Sequence, residues 1–205
     1  AFSYVDHLQD EAAYIQSERY QTDRAFFLQQ FQKCQEVTFL SDKQVSSFES
    51  KRKTFVMESA DAERINTYAN ARGVSPFVLF FSALAAYISR VKQNAEKFYL
   101  GTAVINRTGI REKNTAGMFV NTVPVLVELD NEKPFADNLK VIQTNMFGVL
   151  RHQKFHYGDI LSAIRETYGF SGKLYDVMLS YQNASISCMG EEESTWYHCG
   201  AQTES

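Results

Sequence analysis

At 205 residues, 44% hydrophobic and 22% charged, the chain has the apolar content for a substantial core and the length of one large domain or two small ones. A net charge of -3 with no basic stretch argues against a nucleic-acid partner. No charge-free apolar run approaches about 18 residues, so no membrane partner is expected, and the N-terminal AFSYVDHLQDE lacks the basic-then-apolar order of a signal peptide; the reading is a reduced, cytoplasmic chain.

Taken in order, Tyr4 to Lys33 is helical, with Leu8, Ala12, Ile15, Phe27, Leu28 and Phe31 at spacings of three and four. Its length calls for a break near Gln21-Thr22-Asp23. Gln35 to Lys53 is polar and irregular, and Lys53 to Glu58 is a short strand candidate. Ser59 caps the next helix, which presents Ile65, Tyr68 and Ala69 on one face and closes at Gly73. Ser75-Pro76 starts a second helix by cap and first-position proline. Phe77, Phe80, Phe81, Leu84, Tyr87, Ile88 and Val91 make it apolar over most of its circumference, so it is expected to be the most buried helix.

Phe98 to Ile105 is a nearly continuous apolar strand of the kind covered on both faces. Asn106 to Thr115 is a polar loop, and Phe119 to Leu129 is the next strand, whose Pro124 points to an edge or a bulge. A turn at Asn131 to Pro134 leads to a helix through Arg151 with a stripe of Phe135, Leu139, Ile142, Met146 and Val149. Asp159 caps a shorter helix that ends at Tyr168-Gly169. Leu174 to Gln182 is a third strand, and Trp196 to Cys199 can start another. The sum is an α/β fold: a two-layer mixed sheet with helices packed on it.

Chemistry is sparse. Cys34, Cys188 and Cys199 are odd in number and widely spaced, which argues against a disulfide framework. Histidines 7, 152, 156 and 198 show no zinc spacing, so no metal is expected, and each reads first as structural or exposed rather than as a general base. There is no nucleophile elbow and no glycine-rich phosphate loop. Asn121-Thr122 stands out, because two polar residues open an apolar strand just after Gly117, where a close backbone approach is possible. An amide there can orient a carbonyl or amine, or stabilise an oxyanion; equally, it can satisfy backbone groups at the loop-strand junction. The cations of Arg107 to Lys113 can bind phosphate or form a solvated loop. Ser180-Tyr181-Gln182-Asn183 can line a channel or form a strand exit.

Gly117-Met118-Phe119-Val120-Asn121-Thr122 resembles the GxFVNT motif of condensation domains in nonribosomal peptide synthetases. Other stretches agree in order. Tyr4-Val5-Asp6 resembles the start of the family's YxDYAxWQ motif, without its Trp, and Ser75 to Arg90 resembles its buried helix. Leu100 to Arg107 resembles the iGtpvxxR strand and loop. His152-Gln153 resembles HQxxPFExL, with His156 in place of Pro and Gly158 in place of Glu, and Val177 to Asn183 resembles the strand vmfsyqn.

The resemblance implies a chloramphenicol-acetyltransferase-like fold made of two similar halves. The family's active histidine lies in an HHxxxDG motif of the N-terminal half, and this sequence has no adjacent His-His pair. The expectation is therefore that residues 1–205 are the C-terminal half of a condensation domain, truncated at both ends. In such domains a carrier-bound donor thioester is attacked by a carrier-bound acceptor amine inside a tunnel between the halves. The resemblance implies no catalytic residue in this stretch, a supporting role for Asn121 and Thr122, and substrate contacts from Gly117, Met118, Asn121, Ser180 and Gln182. No cofactor would be bound directly; the phosphopantetheine arms of carrier proteins would enter. The implied partners are the N-terminal half, peptidyl carrier proteins and an adjacent adenylation domain, with self-association through the apolar surface left uncovered. The alternative is a non-catalytic condensation-like module that docks carrier proteins or recruits other enzymes.

Overall fold

A computed structural model describes residues 2–41 and 51–182. Helix α1 (Tyr4–Ile15) starts with a reciprocal capping box: Ser3 accepts from the Asp6 amide, and Asp6 accepts from the Ser3 amide at 2.7 Å. Helix α2 (Glu18–Lys33) follows after only two residues. The break thus lies at Gln16-Ser17 and not at Gln21 to Asp23. The Ser17 hydroxyl serves both ends, donating to the Tyr14 carbonyl at 2.6 Å and accepting from the Tyr20 amide at 3.2 Å. Thr22 stays in the helix by donating its hydroxyl back to Glu18 O.

The expected strand at 53–58 is absent. Phe55 and Val56 are 86% and 94% exposed, and β-propensity without a sheet neighbour does not make a strand. Helix α3 (Ser59–Ala71) is capped by Glu58 rather than Ser59, without a side-chain hydrogen bond, and Gly73 ends it in the left-handed region at φ 66°. Helix α4 (Pro76–Val91) begins as expected, with the Ser75 hydroxyl accepting from Val78 N at 3.2 Å. It carries more buried residues than any other helix described, although Tyr87 and Val91 are exposed.

The sheet has strand order β2-β1-β3. Strand β1 (Lys97–Val104) runs antiparallel to β2 (Asn121–Glu128) and parallel to β3 (Met178–Leu179). Both long strands are buried on both faces, as their continuous apolar runs require. Pro124 faces Gly101, whose N–H turns away to Val177 O on the β3 side at 3.0 Å. The pair is a non-hydrogen-bonded one, so the missing donor of Pro124 costs the ladder nothing. Strand β2 is an edge among the described residues, as its proline indicates. The third strand is far shorter than 174–182, and any strand at 196–199 lies outside the described residues.

Within the expected loop, Ile110–Lys113 forms a single helical turn, α5. Helix α6 (Phe135–Arg151) buries Leu139, Ile142, Met146 and Val149 of its predicted stripe. Helix α7 (Tyr157–Tyr168) begins from His156, not Asp159, and ends at left-handed Gly169. One core joins these parts: Phe27 and Phe31 of α2, Phe81 and Ile88 of α4, the two long strands, and Ile142, Phe155 and Ile160. The result is the expected mixed α/β fold, with helices packed on a small mixed sheet.

Candidate functional site

The register of the sheet places the predicted site residues at one end of it. Asn121 lies opposite Val104, and Thr122 opposite Ala103. On the other side of β1, Leu179 pairs with Thr102 and accepts from its hydroxyl at 2.9 Å, so the chain leaves β3 toward the same end. Ser180 and Gln182, both exposed, follow there. Gly117 and Met118 precede β2, with Met118 71% exposed.

The entry into β2 is tightly built. The Tyr4 phenol of α1 donates to Met118 O at 3.0 Å, and its ring packs edge-on against Phe119 at 5.6 Å. A Cβ on Gly117 would collide with the Tyr4 ring, so the close approach expected at this glycine is that of an aromatic side chain. His7, also on α1, lies 4.2 Å from the Phe119 ring. Arg107 stacks over the same ring, 4.0 Å from the Phe119 centroid. Its guanidinium donates to the carbonyls of Glu112, Thr115 (2.6 Å) and Gly117 (3.0 Å). Arg107 is thus the staple of its own loop, which corrects the phosphate reading for this residue.

Asn121 is 6% exposed. Its Nδ2 donates to Gln153 O at 2.9 Å and to Phe155 O at 3.1 Å, in the turn between α6 and α7. Two carbonyls can only accept, so the amide must present its nitrogen to them, and both N–H groups are used. Of the readings open at this residue, satisfaction of backbone groups is the one seen, and no Asn121 N–H remains for an oxyanion.

Sequence reasoning passed over the carboxylates that hold this turn. Asp23 is completely buried. It accepts from Tyr14 Oη at 2.7 Å and from Arg19 Nε at 2.9 Å, and its Oδ1 is 2.6 Å from His152 Nδ1. Burial first, then the hydrogen bond to Asp23, holds the Tyr14 phenol well above its ordinary range. His152 stacks on Phe26 with centroids 4.1 Å apart and planes 14° from parallel. At the far end of the turn, His156 Nε2 is 3.2 Å from Glu11 Oε1, which is also 3.4 Å from His7 Nε2. The signal for Asp23 was in the sequence: it stands four and eight residues before Phe27 and Phe31, on their buried stripe.

His7, Glu11, Tyr14, Asn106 and Lys154 line a polar cavity of about 20 Å³, room for roughly one water. Among the described residues no cluster of His, Cys, Asp and Glu fits a metal ion, and no single helix is long and apolar enough to cross a membrane.

The chain is similar to surfactin synthase subunit 1 of Bacillus subtilis (strain 168), 34% identical over 182 residues, and to a dimodular nonribosomal peptide synthase of the same organism, 24% identical over 175 residues. The alignments take in 88% and 83% of this chain but only 5% and 7% of those proteins. Among solved structures, the first condensation domain of the CDA synthetase matches with a TM-score of 0.72 and 20% identity, over 90% of this chain and 40% of that one. VibH, a nonribosomal peptide synthetase condensation enzyme, matches with a TM-score of 0.64 and 20% identity, over 82% and 38%. These likenesses show the fold, the mixed α/β architecture of solved condensation domains. The condensation domain family matches residues 1–204, and with the FVNT entry to β2 and the His152-Gln153 turn joined through Asn121, the chain belongs to that family.

Proposed function

We propose that residues 1–205 form the C-terminal half of a nonribosomal peptide synthetase condensation domain and supply one wall of its substrate tunnel. The reaction of the whole domain is attack of an acceptor amine on a donor thioester, both carried on phosphopantetheine arms of carrier proteins in the cytoplasm, beside an adenylation domain. The observation that carries the reading is the Asn121 amide tying the start of β2 to the 152–156 turn, because it joins two of the family's sequence motifs in space. That the chain spans 40% of a solved condensation domain supports its being about one half.

In this reading the wall positions and does not react. Asn121 and Thr122 keep the entry to β2 in shape, while Gly117, Met118, Ser180 and Gln182 at the same sheet end offer surface to the substrate arms. Holding two tethered reactants in one channel supplies effective molarity without a base from this half. The test mixes the 205-residue chain with aminoacyl- and peptidyl-carrier proteins, alone and together with a histidine-bearing N-terminal half of a condensation domain. Peptide is expected only from the combination, and Asn121→Ala is expected to weaken it. Turnover by the chain alone would overturn the half-domain reading. Carrier binding with no turnover in any combination would favour a docking module instead.

A further inference from the structure

The 152–156 turn is gripped from two directions. From α2, Arg19 donates to Arg151 O and Asp23 holds the His152 ring, while from α1 Glu11 meets His156. From β2, Asn121 takes the carbonyls of Gln153 and Phe155. Alternate carbonyls, 151, 153 and 155, are therefore each claimed by a side chain from another element. The turn's two ends are both histidines, each set against a carboxylate of the N-terminal helix pair.

Asp23 is the group with no other explanation. Its position on α2 continues the apolar stripe of Phe27 and Phe31, where packing alone favours an apolar side chain. A fully desolvated carboxylate contributes little net stability even when paired, but it fixes its partners directionally. Its partners are the Tyr14 hydroxyl, the Arg19 guanidinium and the His152 ring. The carboxylate can only accept from Nδ1, so it selects the Nδ1–H tautomer of His152 and sets the ring plane, which Phe26 then stacks. His152 is the C-cap of α6 and the first residue of the turn, and Asn121 bonds one and three residues further on.

We infer that Asp23 is a positioning residue: acting through His152, it sets the 152–156 turn and thereby the orientation of the Asn121 amide at the start of β2. The coupling itself is geometric; its catalytic consequence rests on the proposed function. Its partners come from α1, α2 and α6, so the N-terminal helix pair is a clamp on the wall of the site and not only a cover for the core.

The test has two arms. In the first, the 205-residue chain is labelled with ¹⁵N and the Asn121 side-chain amide and the His152 Nδ1–H proton are followed by NMR. Asp23→Asn is expected to remove the far-downfield Nδ1–H signal and to move both Asn121 amide protons. Phe31→Leu, a change on the same buried stripe whose ring packs on Tyr168 and Phe170, away from the turn, is expected to lower stability and leave the Asn121 signals in place. Should Asp23→Asn not fold, His152→Asn replaces it under the same criterion. Asn121 signals that stay put in the variant, or move equally in Phe31→Leu, overturn the inference. In the second arm, the synthetase that carries this chain is assayed with loaded carrier proteins. The Asp23 variant should lose kcat by about 10- to 100-fold, the scale of a small misplacement, with KM for either carrier little changed. Loss confined to KM counts against positioning. A wild-type protein that makes no product sinks the condensation reading while leaving the first arm to judge the clamp.

Discussion

Gly117 shows how one residue can be readable in type while the group it makes room for is not. Glycine before a polar strand entry marks a close approach, and the sequence pattern leaves the approaching group open to be a substrate or the protein itself. It is the ring of Tyr4, far off in the chain, that fills the space. Gly117→Ala drives a methyl group into ring carbons near the root of that side chain, where it cannot simply swing aside. The ring must leave, taking its hydrogen bond to Met118 O and its contact with Phe119. Overpacking of this kind costs about 1–3 kcal/mol. Denaturant unfolding should show that loss for Gly117→Ala. It should show a much smaller further loss when Tyr4→Ala is added, since the two changes remove one contact. Additive losses would mean that the clash is relieved elsewhere. Asp23 is the opposite case: its helical phase beside Phe27 and Phe31 was visible, but a charge on a buried stripe names no partner, and His152 lies 129 residues on.

Elements with local signals were legible, and those that depend on distant neighbours were not. Ser75-Pro76 and Gly73 carry cap chemistry in the residues themselves, and α4 begins where they say. The 53–58 segment carries strand-forming residues but has no neighbouring strand among the described residues, and it stays irregular and exposed. The break between α1 and α2 was misplaced because Ser17, one hydroxyl serving two helix ends, was outweighed by a polar run at Gln21 to Asp23. The beginning of α1 can be tested by acid. Hydrogen bonds from the Ser3 amide and then the Ser3 hydroxyl hold the Asp6 carboxyl below its ordinary value of 3.8. A depressed carboxylate stabilises the fold above its unfolded value and loses that contribution as pH falls through the folded one. The first turn of α1 should therefore fray below about pH 3.8. The Ser3 and Asp6 amides, the two that the capping box binds, should lose protection relative to their intrinsic exchange rates there, and Ser3→Ala should bring the same loss to the Asp6 amide at neutral pH. Equal protection of wild type and Ser3→Ala at neutral pH would deny the capping box its role.

At the scale of the whole molecule, the apolar surface is unevenly finished. The loop bridging β1 and β2 leaves Ile105 69%, Ile110 78%, Met118 71% and Val120 50% exposed, although Arg107 draws its two ends together through the Gly117 carbonyl. Exposed side chains of this size gathered on one bridge are what an interface leaves when its partner is away. In the proposed half-domain that partner is the N-terminal half, toward which the bridge would reach. Copies of the isolated chain offer each other the same apolar bridge, and a net charge of -3 spread over 205 residues gives them little mutual repulsion. The chain alone should therefore self-associate, with a sedimentation coefficient that rises with concentration. Ile110→Lys combined with Met118→Lys should restore a concentration-independent monomer without lowering the unfolding midpoint, because neither side chain is in the core. An N-terminal half added at equal concentration should compete with self-association in wild type and bind the double variant more weakly. A wild-type chain that stays monomeric at every concentration would show that the bridge is tolerated in water, and would remove the support that its exposure gives to a missing partner.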